Sequence, residues 1–162
     1  MIKNSIEKAI NDQINAELYS AYLYLSMSAY FEGSNLHGFA HWMSVQAKEE
    51  MAHAMKFYNY TFERGGSVKL TSIEAPPAKW KSPLEAFESA YKHELKVTGL
   101  IHKLVDLARS EKDVATENFL MWYVDEQVEE EAHSDAIVQK LKLIKDSPNG
   151  LIMLDKELSG RE

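Results

Sequence analysis

Cysteine is absent from the 162 residues, which excludes disulfides, thiolate-ligated metal sites and thiol nucleophiles. Basic side chains are in deficit, 18 against 25 acidic ones for a net charge of −7, so the charge balance gives no bias toward nucleic acid or an anionic membrane. No apolar run approaches a membrane-spanning length, and Met1 to Lys8 carry no apolar signal core. A cytoplasmic protein with no membrane or nucleic-acid partner is expected. The length predicts one domain over residues 1–162, large enough for a proper core.

Proline and glycine are also scarce, 4 and 7, and they fall in clusters that leave long helical blocks between them. Helices are expected at about 5–32, 35–64, 83–111, 113–146 and 150–158. In the first, Ile6, Ile10, Ile14, Leu18, Tyr22 and Leu25 recur at near-helical intervals. Ser34 or Asn35 is the expected N-cap of the second, and Gly65-Gly66 stops it. Ser82-Pro83-Leu84-Glu85 opens the third with a capping serine, a proline in the first position and a glutamate three residues after the serine. Asp113 caps the fourth. The fifth is too short to hold alone in water and must dock against something.

Short turns after helices one and three make each pair an antiparallel hairpin. The loop at 66–82 is far longer than a reversal needs; at roughly 3.3 Å per residue it can run the length of a bundle. The expected fold is all-α: a four-helix bundle with a long crossover between helices two and three, plus a short C-terminal fifth helix.

What is present in plenty is acid, and some of it repeats. Glu50 and His53 lie three residues apart, one turn along one helix face, where a carboxylate and an imidazole can grip one metal ion. A lone Glu-x-x-His reads equally as two polar residues on a solvated face. The rest of the chain repeats its geometry, however. Glu17 precedes Glu50 by 33 residues and Glu94 precedes Gln127 by 33; the hairpins superimpose at an offset of 77, which sets Glu17 on Glu94, Glu50 on Gln127, His53 on Glu130 and Glu49 on Glu126. All sit at mid-bundle level, where apolar side chains would ordinarily pack.

Burying four carboxylates costs several kcal/mol of hydration each unless something pairs them, and neither motif contains a lysine or arginine. Two divalent cations would balance Glu17, Glu50, Glu94 and Glu130, +4 against −4. Oxygen-rich ligation with one histidine suits Fe(II), Mn(II) or Zn(II) without choosing among them. Redox chemistry is the natural use of a pair, since two Fe(II) ions can pass two electrons to one dioxygen. Oxidation then leaves more positive charge than the four carboxylates balance, so the ferric product is held less well.

On Glu17, the Glu50-Met51-Ala52-His53 run, Glu94 and Gln127-Val128-Glu129-Glu130, the chain resembles a ferritin of the bacterial non-haem type over essentially its whole length. The resemblance implies ferroxidase activity: Fe(II) oxidised by dioxygen or hydrogen peroxide and stored as a ferric mineral inside a homo-oligomeric shell of 24 subunits. It implies that Glu17, Glu50 and His53 hold a first iron, with Glu50 bridging to a second held by Glu94 and Glu130, and Gln127 beside them. It assigns Glu49, Glu126 and Glu129 to a third, weaker iron site, for which a plain solvated acidic face is the alternative reading. Tyr24, seven residues after Glu17 and on its face, resembles the family's tyrosine beside the di-iron centre, with core packing as the other reading.

Haem is not expected: the second motif is Gln-x-x-Glu where haem-containing bacterioferritins carry Glu-x-x-His, and Met51, at their haem-ligand position, reads as core filler. His37, His41, His93, His102 and His133 have no partner in the repeat and read as surface or capping residues, His133 also continuing the stripe of Glu126, Gln127 and Glu130. Trp122 reads as packing. Glu117 aligns near the family's iron-access channels, though Leu120 replaces a neighbouring acid. A metal-binding shell without redox turnover is the alternative function, and a monomeric di-iron oxygenase a more distant one.

Overall fold

The computed structural model describes residues 1–162, which form α1 (Asn4–Gly33), α2 (His37–Glu63), α3 (Pro83–Ser110), α4 (Val114–Ile144) and α5 (Pro148–Leu158). The 77-residue repeat extends to the turns. Asn35 and Lys112 both take left-handed backbone, φ 58° and 56°. Each lets the next amide bond back into the last turn: Leu36 N–H to Phe31 O at 3.0 Å, and Asp113 N–H to Ala108 O at 2.9 Å. Asn35 therefore closes α1 instead of capping α2, and Ser34 also turns back, its hydroxyl donating to the Tyr30 carbonyl.

The start of α2 is capped from elsewhere. Its N-cap residue, Leu36, offers no side-chain acceptor. Asp155 of α5 accepts from Gly38 N–H at 2.9 Å and Phe39 N–H at 3.1 Å. A carboxylate there also meets the positive end of the helix dipole. The approach is close enough to demand glycine: a Cβ on Gly38 would lie 1.7 Å from the Asp155 carbonyl oxygen. α5 packs on α2 and α4 and buries Leu154 and Leu158, which supplies the docking that so short a helix needs.

The other caps follow local signals. Ser82 Oγ accepts from Glu85 N–H at 3.1 Å, with Pro83 in the first turn, and Asp113 accepts from Thr116 N–H at 3.0 Å. α2 ends at Gly65, whose φ of 69° suits a residue without a side chain. Arg64 then clamps that end to the start of α4 by pairing with Asp113 at 3.0 Å and donating to Thr116.

The crossover runs alongside α1. Glu7 accepts from Ser67, Asn11 pairs with Ser67 and Lys69, Asn15 donates to Thr71 and Ser72, Ser26 donates to the Pro77 carbonyl, and Tyr30 meets Trp80 edge-on. This returns the chain to the far end of the bundle, so α3 descends antiparallel to α1 and parallel to α2. The architecture is the expected one. Its apolar interior is split in two: one core holds Met27, Phe31, Phe39 and Phe87 with α5, the other Ile6, Ile10, Phe57 and Ile101. No helix is long and apolar enough to cross a membrane.

Candidate metal centre

A buried polar layer separates the two cores. Glu17 comes from α1, Glu50 and His53 from α2, Glu94 from α3, and Gln127 and Glu130 from α4, and every one is buried. Their level follows from the hairpins: equal spacing from each turn on two rigid helices puts matched positions at one height.

Ligand atoms gather in three groups, all within 4.8 Å of one another in each: Glu17 with Glu50 and His53; Glu50 with Glu94 and Glu130; and His53 with Glu126 and Glu130. Glu50 belongs to the first two, so one carboxylate is shared between neighbouring groups. His53 Nδ1 lies 3.3 Å from Glu50 Oε2, and its Nε2 lies 3.7 Å from Glu126. Tyr123 Oη donates to the His53 carbonyl at 2.8 Å, and the Tyr123 and Trp122 rings meet the imidazole edge-on.

The remaining polar atoms hold the carboxylates in place. Tyr24 Oη donates to Glu94 Oε1. Gln127 Nε2 lies 3.2 Å from Glu94 Oε2 and, equally, from Thr98 Oγ1. Two glutamines absent from the sequence expectations join them. Gln13 donates to Glu17 at 2.8 Å, and Gln46 donates to Glu50 at 3.1 Å and to Glu130 at 2.7 Å. Their signal was available: each lies four residues before a carboxylate of the layer, and the two are themselves 33 apart.

Electrostatically the layer is starved of positive charge. No lysine or arginine is buried anywhere in the chain. Burial, then the neighbouring Glu50, pushes Glu17 up to about 8. Burial, then Glu94, pushes Glu130 up to about 7. Burial raises Glu50 and Glu94 as well. A cluster that keeps protons near neutrality for want of a cation, with oxygen donors and one imidazole, fits hard or borderline divalent ions.

The residues assigned to a third site do not come together. Glu126 joins His53 and Glu130, while Glu49 is paired with Arg161 and Glu129 is exposed. Trp122 is not core packing: it is 38% exposed, with the Lys56 ammonium 3.5 Å from its ring centroid. Met51 is likewise no core filler, since it is exposed. His93 departs from the surface reading, half-buried between α1 and α3 with Nε2 2.7 Å from Ser20 Oγ, and burial lowers it to about 4. His37 pairs with Glu32 on the surface, His41 bonds the Arg161 carbonyl, His102 and His133 are exposed, and Glu117 pairs with Arg109.

Residues 7–144 match the model of the ferritin-like domain family. A bacterial non-heme ferritin of Bacteroides fragilis (strain 638R) is 47% identical over 99% of this chain and 100% of its own length. One from Staphylococcus aureus (strain MRSA252) is 39% identical over 99% and 97%. Among solved structures, an open pore ferritin from the hyperthermophilic archaeon Archaeoglobus fulgidus superimposes with a TM-score of 0.99 at 56% identity, covering 99% of this chain and 98% of that one.

Proposed function

The chain belongs to the ferritin family, and from that membership we propose that it stores iron by oxidising Fe(II) at an intrasubunit centre. The observation that carries the reading is the buried, uncompensated set of four carboxylates and one histidine drawn from four helices. Glu17, Glu50 and His53 take the first Fe(II); Glu94 and Glu130 take the second, with Glu50 between them. Cation binding expels the protons that burial had retained. Each Fe(II) then gives up one electron, and dioxygen takes both with two protons and leaves as hydrogen peroxide. Hydrogen peroxide can itself serve as the oxidant.

Gln127, with no charge and with its amide committed to Glu94 and Thr98, orients the second site without adding to its negative charge. Tyr24 holds Glu94 by its hydroxyl and is placed to act as a hydrogen-bond partner or an electron donor. Glu126, half-buried beside His53 and Glu130, anchors a third, weaker iron site in this reading, one that Glu49 and Glu129 complete only by swinging toward it. The ferric product moves to a mineral inside a cytoplasmic shell of 24 copies, without haem.

The test is stopped-flow oxidation of Fe(II) added to apo-protein in aerobic buffer, with His53→Ala and Glu130→Ala alongside. A fast phase saturating at two to three irons per chain, lost in both variants, is the expected result. Oxidation no faster than in buffer and unchanged by the substitutions would leave a passive metal-binding shell instead.

A further inference from the structure

Gln46 does something that no other side chain of the layer does. It lies one turn before Glu50 on α2, 1% exposed. Its Nε2 gives one N–H to Glu50 Oε1 on its own helix and the other to Glu130 Oε2 on α4. No Cα of α2 comes within 8 Å of one in α4, so the spacing between those two helices at this level is set by side chains and not by backbone packing. The bridge also leaves Gln46 Oε1 as the single buried side-chain nitrogen or oxygen in the chain without a hydrogen-bond partner. Reversing the amide would meet the two carboxylates with an oxygen, so the carboxylates dictate its orientation. A residue serving only to fill the space would avoid that unmet acceptor, as a methionine would.

Gln13 supplies the contrast. It stands in the same relation to Glu17 but reaches that one carboxylate alone. In the second hairpin the equivalent positions are Ala90 and Tyr123, so the bridging amide occurs once.

We propose that Gln46 is a positioning residue that fixes the separation of Glu50 and Glu130 and thereby sets the affinity of the second metal site relative to the first. The proposal rests on the iron-oxidising reading above. Each N–H of Gln46 takes one lone pair of a carboxylate oxygen, on Glu50 Oε1 and Glu130 Oε2, and fixes where the remaining lone pairs meet metal. Without it, nothing ties the two carboxyl groups across the α2–α4 gap, and as metal binding strips their protons the like charges move apart.

The test uses anaerobic Co(II) titration of the apo-protein, followed by the ion's visible absorption, which reports site filling without oxidation. In Gln46→Met the first step should stay within about threefold of wild type, while the second weakens roughly 10- to 100-fold, the range for residues that orient metal ligands. Gln46→Asn keeps the amide but is too short to reach both carboxylates, so it should show the same selective loss even if the methionine variant assembles poorly. Gln13→Met should weaken the first step instead. Wild-type affinity at both steps in the Gln46 variants, or equal weakening of both, would overturn the proposal. If wild type and His53→Ala titrate alike, it is the iron-oxidising reading that fails.

Discussion

The protons that burial holds on the carboxylate layer make the stability of metal-free protein fall as pH rises through neutrality, opposite to what paired surface acids would give. Glu17 is shifted from 4.5 to about 8 by burial, so between those values the native state carries a proton that the unfolded chain has lost. Its contribution is intact below pH ~4.5 and declines by ~1.4 kcal/mol per pH unit until Glu17 ionises in the fold. From pH 5 to pH 8 the loss is on the order of 4 kcal/mol from Glu17 alone, and Glu130, shifted to about 7, adds to it. For a chain of this size that corresponds to a drop in melting temperature of roughly 8–16 °C. Thermal denaturation of metal-free protein at one concentration and several pH values measures it. Glu17→Gln should flatten the profile and melt above wild type at pH 8. A melting temperature that is level or rises from pH 5 to 8, and is indifferent to Glu17→Gln, would refute the claim that these carboxylates are desolvated and unpaired.

Two further outcomes follow from the same geometry. Zn(II), which fills the sites without oxidation, should displace at least about one proton per chain at pH 7, since Glu17 is raised to about 8 and Glu50, Glu94 and Glu130 are raised as well, and fewer at higher pH; calorimetry in buffers of different ionisation enthalpy counts them, and no release would refute it. Gly38→Ala should destabilise the fold by about 1–3 kcal/mol through the clash with Asp155 and speed hydrogen exchange at the Phe39 amide, whereas Asp155→Ala should cost about 1 kcal/mol as a lost cap.

The ligand layer was legible because it rests on arithmetic that helices preserve: equal counts from two turns put Glu17, Glu50, Glu94 and Glu130 at one height. The crossover was legible from its length. The start of α2 was not, because Ser34 and Asn35 carry local capping chemistry while the acceptor in use belongs to Asp155, far along the chain. Gln46 is not legible from the sequence for a related reason. A glutamine one turn from a glutamate is ordinary on a helix surface, and its reach to Glu130 exists only once α2 and α4 face each other. The third-site residues share a stripe in sequence, but Arg161, packed over the Trp42 ring at 4.2 Å, takes Glu49 out of it.

The cap that α5 places on α2 also orders events in time. Asp155 follows Gly38 by 117 residues, so a ribosome adding roughly 5–20 residues per second delivers it on the order of ten seconds after the amide it caps. Throughout that interval the α1–α2 hairpin can close its apolar seam, but the first amides of α2 have only water to bond. The nascent hairpin therefore frays at the turn end while its crossover end is already laced to α1. A helix made after the four of the bundle is the one that finishes the second.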